Sequence, residues 1–424
     1  MGRLLLWRKA RIPAKSQKCF TYQPCHNSSR NRGGHGKNFY RDNMKVKYLL
    51  LCAAMFIALS GCKNQHGGQT DETACHVADT TDVQPRHAKG FSVKRMKDGT
   101  RLVELKDPQG ESGETYRFAL VGRGESKSDV PEGYAVVEVP VRSVICMTSL
   151  QLSNFIKLDE IDAVVGITST RHLFNKEIKE RIDKGLVHRI GIEGNFDNET
   201  IMGINPDIIL FSPFKRGGYA ALKDVGIPLI PHLGYKEQTP LGQAEWIKLV
   251  GLLIGESEKA DAVFDGIEKR YMDLCGLTDS VDYRPMVLSG ETRGGAWYAV
   301  GGKSFLAQLF KDAGADYFLK DDESTGGKNF DFETVYSQAA NAEYWRIVNS
   351  YKGDFSYETL KEEDERYADF RAFKERGIIY CNMSKRPFYE NMPTEPEVVL
   401  ADLIHAFHPE LLPDHKPVYY ELLR

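Results

Sequence analysis

The amino-acid sequence predicts an α/β protein with two lobes, each built on a central, mostly parallel sheet flanked by helices, and with one long helix joining them. The first observation is that short β-branched apolar runs alternate with helical patterns from Pro140 onward, which is typical of a parallel sheet with crossover helices. The second is that the same alternation returns after Arg284. The third is a long helical pattern between these two stretches.

The first stretch begins after an expected β-hairpin extension. Asp98-Gly99 lies between two alternating strands, which is a strong hairpin signal, and a third strand is predicted at 116–121. The sequence then predicts strands at 141–147, 163–168, 207–211 and 228–231, with helices at 149–158 and 178–184. In the second stretch it predicts strands at 285–289, 344–348 and 377–381, with helices at 305–312 and 398–407.

The long helix is predicted over 257–278, after Ser257 as a candidate N-cap. Its apolar residues recur at helical spacing, at Ala260, Val263, Phe264, Ile267, Tyr271 and Leu274. About 20 residues at 1.5 Å each would form a rod about 30 Å long. A hinge protein with flexible crossovers would show Gly- and Pro-rich linkers here instead. We therefore expect the helix to hold an N-terminal lobe (90–256) and a C-terminal lobe (279–424) at a nearly fixed distance.

The N-terminal part of the chain carries a secretory signal. The segment 44–61 has a basic start, an apolar run that is too short to span a bilayer, and a small-residue cleavage site before Cys62. Leu59-Ser60-Gly61-Cys62 resembles the bacterial lipobox, which implies that Cys62 becomes the lipidated first residue. We interpret residues 1–43 as an upstream extension outside the fold and residues 62–89 as a flexible tether.

Composition excludes several classes of function. The first 61 residues hold 12 Lys and Arg and one acidic residue, so that of 56 basic and 59 acidic residues in the chain, 44 and 58 remain, a formal charge of −14. A charge of this sign argues against nucleic-acid binding. The cysteines after the signal peptide lie far apart and form no Cys-x-x-Cys, which indicates neither a zinc knuckle nor a disulfide scaffold.

No catalytic or metal-binding motif is present in the sequence. Gly301-Gly302-Lys303-Ser304 is not a phosphate-binding loop, because Trp297 occupies the place of the required first glycine. We instead expect this turn to cap the next helix through Ser304. Cys146 and Cys381 both end predicted strands, which leaves open an exported metal-dependent oxidoreductase on a nitrogenase-like two-lobed fold.

Three segments carry a resemblance to a known family. They are 198–210 (NETIMGINPDIIL), 300–315 (VGGKSFLAQLFKDAGA) and 388–410, which contains Phe-Tyr-Glu, Pro-Glu-Val-Val-Leu-Ala-Asp-Leu and His-Pro-Glu. In this order they resemble the helical-backbone (class III) periplasmic binding proteins of ABC importers, which serve ferric siderophores, haem and cobalamin.

The resemblance implies a periplasmic, lipid-anchored monomer without catalytic turnover or a cofactor of its own. It would capture a ferric siderophore or similar iron complex and deliver it to an ABC permease. The same role with cobalamin or haem as the ligand is the alternative.

Candidate ligand-binding residues are the polar and aromatic side chains that follow the predicted strands, because ligands of open α/β sheets lie beyond the carboxyl ends of the strands. Aromatic faces stack on flat chelates, and arginine pairs with anionic oxygens, so the arginines favour an anionic ligand. The candidates are Thr148, Ser149, Arg171, Phe214, Arg216, Tyr219 and Tyr235 in the first lobe, and Arg293, Trp297, Tyr298, Tyr351, Asn382 and Phe388 in the second.

The resemblance also implies one exposed glutamate on each lobe that pairs with arginines of the permease. Glu199 lies on the first-lobe motif. In the second lobe Glu390 follows two aromatic residues and Glu395 is the rival. Each exposed pair would contribute roughly 0.2–1 kcal/mol, enough for orientation more than for affinity.

Overall fold

The structure is a computed structural model that describes residues 84–110, 113–125, 130–168, 172–192, 194–213 and 219–424. All of these residues belong to one compact unit, Thr73–Arg424. The upstream extension, the signal peptide, Cys62 and most of the predicted tether lie outside the described residues. Within the described ranges, no helix has the length and apolar character needed to cross a membrane.

The N-terminal extension is a four-stranded sheet of β1 (Phe91–Arg95), β2 (Arg101–Lys106), β3 (Thr115–Gly122) and β4 (Ala135–Val139). The first three strands pair antiparallel, which confirms the predicted hairpin and third strand, whereas β4 pairs parallel to β3 and was not predicted. The hairpin turn is fixed by Asp98, whose carboxylate accepts the Thr100 N–H at 2.9 Å, and by Gly99, which has a φ of 90°.

The first lobe contains a five-stranded, entirely parallel sheet in the order β11-β10-β5-β6-β7. Its central strands are buried along their whole length, as expected for a sheet that helices cover on both faces. In chain order the elements of this lobe are β5 (Val144–Cys146), α1 (Ser149–Lys157), β6 (Val164–Ile167), α2 (Lys176–Asp183), β7 (His188–Arg189), β8 (Gly191–Ile192), β9 (Asn195–Phe196), α3 (Asn198–Ile204), β10 (Ile208–Phe211), α4 (Tyr219–Lys223), β11 (Leu229–Pro231), α5 (Pro240–Ala244) and α6 (Trp246–Ile254).

The predicted long helix is α7 (Ser257–Thr278). It begins at Ser257, which is therefore the first helical residue, and Glu256 takes the N-cap position that we had expected for Ser257. One face of the helix is buried, at Ala260, Phe264, Ile267 and Tyr271, and this face packs against α6 of the first lobe.

The second lobe contains a five-stranded sheet in the order β15-β12-β17-β18-β19, parallel except for the last pair, and a three-stranded antiparallel sheet β13-β14-β16 that was not predicted. Ser304 caps its first helix as expected, because its hydroxyl accepts the Ala307 N–H at 3.2 Å. The elements are β12 (Met286–Ser289), β13 (Glu291–Arg293), β14 (Ala296–Val300), α8 (Phe305–Asp312), β15 (Asp316–Tyr317), β16 (Gly327–Phe330), α9 (Phe332–Ala339), β17 (Tyr344–Asn349), α10 (Tyr357–Glu363), α11 (Arg371–Lys374), β18 (Ile378–Asn382), α12 (Phe388–Asn391), α13 (Pro396–Phe407) and β19 (Glu421–Leu422).

The helix α7 joins the two lobes because α13, which follows the last parallel strand of the second lobe, packs against it. The Arg270 guanidinium strengthens this contact with a 2.7 Å ion pair to Glu397 in the first turn of α13. The predicted fold class, two α/β lobes joined by one long helix, is confirmed.

The tether predicted to extend to residue 89 ends earlier than expected, because residues 86–90 are held against the first lobe by two buried carboxylates. Glu245 accepts the backbone N–H groups of residues 86–88 at 2.7–2.9 Å. Glu237 accepts those of residues 89 and 90 at 2.9–3.1 Å. Residues 86–90 are therefore part of the packed structure and not of a flexible tether.

Protonation of His232 is expected to destabilise the first lobe in mild acid. His232 follows β11, lies 4.8 Å from the Trp246 ring and is buried, and burial lowers its pKa from 6.5 to about 4. The unfolded chain therefore binds a proton that the native state does not bind between these two pH values. The free energy of unfolding should fall by up to about 3 kcal/mol as the pH drops from about 6.5 toward 4.

Urea unfolding at several pH values measures this effect. His232→Gln should remove most of this pH dependence, whereas the same change at the exposed His188 should keep it. An unchanged pH dependence in His232→Gln would show that His232 is not the group responsible.

Candidate functional site

The carboxyl ends of the two parallel sheets meet at a boundary between the lobes. The helix α1, which follows β5, contacts α12 and the 3₁₀ helix Met392–Thr394, which follow β18. Two polar contacts cross this boundary: Lys157 Nζ lies 3.1 Å from a Glu395 oxygen, and a Glu390 oxygen accepts the Phe174 N–H at 2.7 Å. The described candidate ligand residues that follow the strands therefore lie at the carboxyl edges of the two sheets.

A pocket of about 270 Å³ opens on the second-lobe side, at the carboxyl ends of β12 and β17. It is lined by two arginines, two tyrosines and one glutamate, together with small and aliphatic residues. The side chains that define its chemistry are Glu291, Arg293, Tyr298, Arg346 and Tyr389. Arg293 and Tyr298 were predicted from the sequence, whereas Arg346 was not.

Arg346 is the feature that sequence reasoning missed. It lies inside the central strand β17, half-buried, and its Nε and Nη2 atoms donate to the Tyr420 hydroxyl at 2.8 and 2.6 Å. Burial opposes its charge, but the nearby hydroxyl oxygens of Tyr420 and Tyr389 outweigh this effect and raise its pKa. Among the described residues no Asp or Glu forms an ion pair with Arg346, so its positive charge remains available. The signal in the sequence was an arginine within an otherwise apolar strand.

Arg293 and Tyr298 face each other across the turn of the β13–β14 hairpin. The Arg293 guanidinium lies 6.0 Å from the centre of the Tyr298 ring and 3.0 Å from a carboxylate oxygen of Glu291. Both side chains are exposed at the rim of the pocket. Because Glu291 already balances the charge of Arg293, the uncompensated cation of this pocket is Arg346.

Tyr351 lines a neighbouring pocket of about 400 Å³, which shares Glu291 with the first one. Its walls include Asn349, which ends β17, Ser350, which follows it, and the carboxylates of Glu363 and Asp364. Asp364 is engaged by Arg366 at 2.7 Å. The two pockets together form a continuous polar surface at the edge of the second sheet.

The first lobe contributes a less clearly defined surface to the candidate site. Thr148 and Ser149 are half-buried at the start of α1, where the Gln151 side chain accepts the Thr148 N–H at 2.7 Å. Tyr219 packs on Phe211 and donates to the Ser212 carbonyl at 3.1 Å, and Tyr235 is half-buried in a 3₁₀ turn. Three other predicted residues, Arg171, Phe214 and Arg216, lie outside the described residues.

Three predicted ligand residues are wrong, because the structure uses them internally. Trp297 is fully buried and donates to the Ser289 carbonyl at 3.1 Å. Phe388 is buried between Tyr419 and Tyr420. Both ends of the buried Asn382 amide bind backbone: the Tyr351 carbonyl at 2.8 Å and the Ser384 N–H at 2.9 Å.

The expected exposure of Glu390 is also wrong. The residue is only 3 % exposed, and its carboxylate accepts the Phe174 N–H across the lobe boundary. Burial raises its pKa. The rival Glu395 is likewise engaged, by Lys157 at 3.1 Å and by the Tyr419 hydroxyl at 2.7 Å. Neither carboxylate is presented to a partner protein.

Glu199 is exposed in the first turn of α3, as expected. The second lobe repeats this arrangement at Glu333 in the first turn of α9, which the sequence analysis missed. The signal was a repeated Asp-x-Glu-Thr, at 197–200 and 331–334. In both copies the Asp caps the helix by accepting the Thr N–H, at 3.0 Å in α3 and 2.7 Å in α9.

The described residues offer no redox or metal centre. Cys146 and Cys381 are free and buried, and burial raises the pKa of both thiols, that of Cys381 to about 12. Within the described ranges, no three His, Cys, Asp or Glu residues are placed to hold a metal ion. Thiols of this kind stay protonated at neutral pH and are poor nucleophiles or ligands.

Comparison with known proteins agrees with this architecture. The sequence model of a family described as periplasmic binding protein matches residues 144–384, more than half of the chain. An uncharacterised lipoprotein of Methanocaldococcus jannaschii is 24% identical over 404 residues, which covers 89% of this chain and 100% of that protein.

Two solved structures have the same fold. A periplasmic haem-binding protein from Pseudomonas aeruginosa has a TM-score of 0.51 at 18% identity and covers 65% of this chain and 95% of its own. An ABC-type Fe3+-hydroxamate transport system protein from Saccharomonospora viridis has a TM-score of 0.51 at 17% identity, with 63% and 94% covered.

The buried role of Glu390 can be tested by unfolding. Glu390→Ala leaves backbone N–H groups of the 174–175 segment without an acceptor and should lower the free energy of unfolding by about 2–4 kcal/mol. Glu390→Gln keeps one acceptor oxygen and should cost clearly less. Chemical denaturation measures both. An exposed glutamate would give a change within about 0.5 kcal/mol for either variant, and that result would contradict the placement.

Proposed function

The chain belongs to the periplasmic binding protein family, whose members are not enzymes but deliver small ligands to ABC permeases, and we propose that its own ligand is an anionic metal chelate. A ferric siderophore or a similar iron complex is the first candidate. Haem or cobalamin bound by the same fold is the alternative.

The uncompensated charge of Arg346 carries this proposal. A half-buried guanidinium without an acidic partner is costly unless a ligand supplies the negative charge. Hydroxamate, catecholate and carboxylate oxygens of iron chelates match the planar fork of an arginine, which binds such oxygens through two parallel hydrogen bonds. A ferric tris-catecholate is anionic and haem carries two carboxylates, whereas cyanocobalamin and the ferric trihydroxamate centre have no net charge. Arg346 therefore favours a tris-catecholate or haem.

The aromatic residues around the pocket support a flat or bulky ligand. Tyr298 and Tyr389 are exposed beside Arg346 and offer ring faces for stacking. The name of the Pseudomonas aeruginosa relative specifies haem and that of the Saccharomonospora viridis relative specifies Fe3+-hydroxamate. Both ligands combine a metal with anionic oxygens, which is the chemistry that this pocket suits.

Permease docking is proposed for Glu199 on the first lobe and Glu333 on the second. Each lies in the first turn of a helix that precedes a parallel strand, and such helices run antiparallel to their strands. Both helix starts therefore lie at the carboxyl edge of a sheet, on the same side as the pocket. The Glu333 side chain is 77% exposed, and within the described residues its only ion pair is a 3.6 Å contact with the half-exposed Arg366, which is weak enough for a permease arginine to replace. One turn farther along, Met202 and Tyr336 expose apolar surface at equivalent positions.

We also propose that a lipid on Cys62 anchors the protein to a membrane, with the folded part in the periplasm. The printed name of the Methanocaldococcus jannaschii relative, a lipoprotein, supports the anchor. We further propose that the protein acts as a monomer, because the two docking glutamates lie on separate lobes of a single chain.

Ligand class can be tested by quenching of intrinsic tyrosine and tryptophan fluorescence with a ferric tris-catecholate, a ferric trihydroxamate, haemin and cyanocobalamin. Arg346→Gln should weaken binding of the anionic ligand about ten- to hundredfold, because a hydrogen bond to a charged group contributes about 1.5–3 kcal/mol. Arg376→Gln removes the same charge from an exposed site before β18, at the opposite edge of the sheet, and should leave affinity unchanged. Equal affinities in all three proteins, or binding of cyanocobalamin alone, would contradict the proposal.

The docking proposal predicts a separation of binding from uptake. The double charge reversal Glu199→Arg and Glu333→Arg should leave ligand affinity within about twofold but lower chelate uptake severalfold in cells that carry the permease. Glu258→Arg is the matched control, since Glu258 is an exposed first-turn residue of α7. Normal uptake by the double variant, or loss of ligand binding, would refute this assignment.

A further inference from the structure

The chain beyond α13 folds back over the second lobe and is fixed there by one buried carboxylate. Asp402, in α13, is 1% exposed. One of its oxygens accepts the Val418 N–H at 3.0 Å and lies 2.7 Å from the His415 ring nitrogen Nε2. The other accepts the N–H groups of Tyr419 and Tyr420 at 2.6 and 2.9 Å. The backbone at 418–420 therefore has a single defined position.

This backbone position places the two adjacent tyrosines in different environments. The Tyr419 hydroxyl donates to Glu395, which also binds Lys157 of the first lobe, so Tyr419 belongs to the contact between the lobes. The Tyr420 side chain also packs on Phe388, but its hydroxyl reaches β17. Its hydroxyl accepts two N–H donors of Arg346, and its ring centre lies 5.4 Å from the guanidinium carbon.

A hydroxyl holds an arginine in a different way from a carboxylate. An aspartate or glutamate at this place would orient Arg346 but would also cancel its charge. The pKa of Tyr420 is raised, because burial outweighs the opposing effect of Arg346, so the hydroxyl stays neutral. The guanidinium is thus immobilised through two of its three nitrogens while its full positive charge remains for the pocket.

We propose that Tyr420 is a positioning residue for ligand recognition: its hydroxyl orients the Arg346 guanidinium toward the pocket without neutralising it. This inference rests on the proposed binding of an anionic chelate. It assigns a role in specificity to the C-terminal segment, which lies beyond the pocket wall and contacts the ligand only through Arg346.

The test uses Tyr420→Phe, which keeps the ring and its packing on Phe388 but removes the acceptor oxygen. Affinity for whichever of the ferric tris-catecholate, the ferric trihydroxamate or haemin quenches fluorescence saturably should fall about five- to tenfold. The double variant Tyr420→Phe/Arg346→Gln should bind no more weakly than Arg346→Gln alone, within about twofold, because Tyr420 acts through Arg346. Additive losses would overturn the proposal, since they would mean an independent structural effect.

Tyr357→Phe is the matched control. It removes another buried tyrosine hydroxyl, which accepts the Ile378 N–H at 3.3 Å at the amino end of β18, and although it should lower stability it should leave chelate affinity unchanged. If Tyr420→Phe does not fold, Arg346→Lys provides the second test. It keeps the charge but loses the Nε donor to Tyr420, and it should weaken binding about as much as expected for Tyr420→Phe. Unchanged affinity in Arg346→Lys would overturn the proposal.

A readout that needs no ligand separates this proposal from the proposed function. In the free protein, the nitrogen-15 NMR signal of Arg346 Nε–H, assigned through its loss in Arg346→Gln, should show slow solvent exchange that becomes at least tenfold faster in Tyr420→Phe. Unchanged exchange would overturn the positioning role even if an anionic chelate binds. Faster exchange with no saturable binding of any anionic probe would instead refute the proposed ligand class.

Discussion

The packing of one face of α7 between α6 and α13 is the constraint on which the rest of the structure depends. Phe264, Ile267 and Tyr271 bury this face, so neither lobe can rotate without exposing large apolar side chains to water. The contacts of Glu390 and Glu395 tie the lobes a second time, across their facing edges. Two separate attachments limit hinge motion. Under the proposed function, the binding surface would therefore be formed before the ligand arrives, with little ordering cost on binding.

The distribution of charge follows from this rigid frame. Four buried carboxylates accept hydrogen bonds from backbone N–H groups and thereby fix segments of the chain. They are those of Glu237, Glu245, Glu390 and Asp402. Arg346 is held by a hydroxyl instead. The chain after residue 61 is strongly acidic, yet its distant charges are screened over about 8–10 Å at physiological salt. Under the proposed function, the local cation would therefore decide which ligand charge the pocket accepts.

Periodicity made the fold predictable, whereas site residues depended on tertiary contacts that no local pattern reveals. The spacing of apolar residues located α7 and the parallel strands. Trp297 was misassigned because the antiparallel sheet β13-β14-β16, which the sequence did not indicate, turns its side chain into the core. Arg346 was missed because it lies within a strand rather than after one. Glu390 was chosen because it matched a short motif. Glu333, the second proposed docking residue, is recognised only when the Asp-x-Glu-Thr sequences at the starts of α3 and α9, one in each lobe, are compared.

Under the proposed docking by Glu199 and Glu333, the fixed distance between lobes would matter for delivery as well as for binding. Glu199 and Glu333 are both exposed, and an exposed ion pair contributes no more than about 1 kcal/mol. One such contact could not orient the protein on a permease. Two contacts held by a stiff frame act together, because once the first has formed, the second occurs within the same complex and at the correct spacing. A flexible joint between the lobes would lose this advantage, so the packing of α7 supports both the pocket and the docking surface.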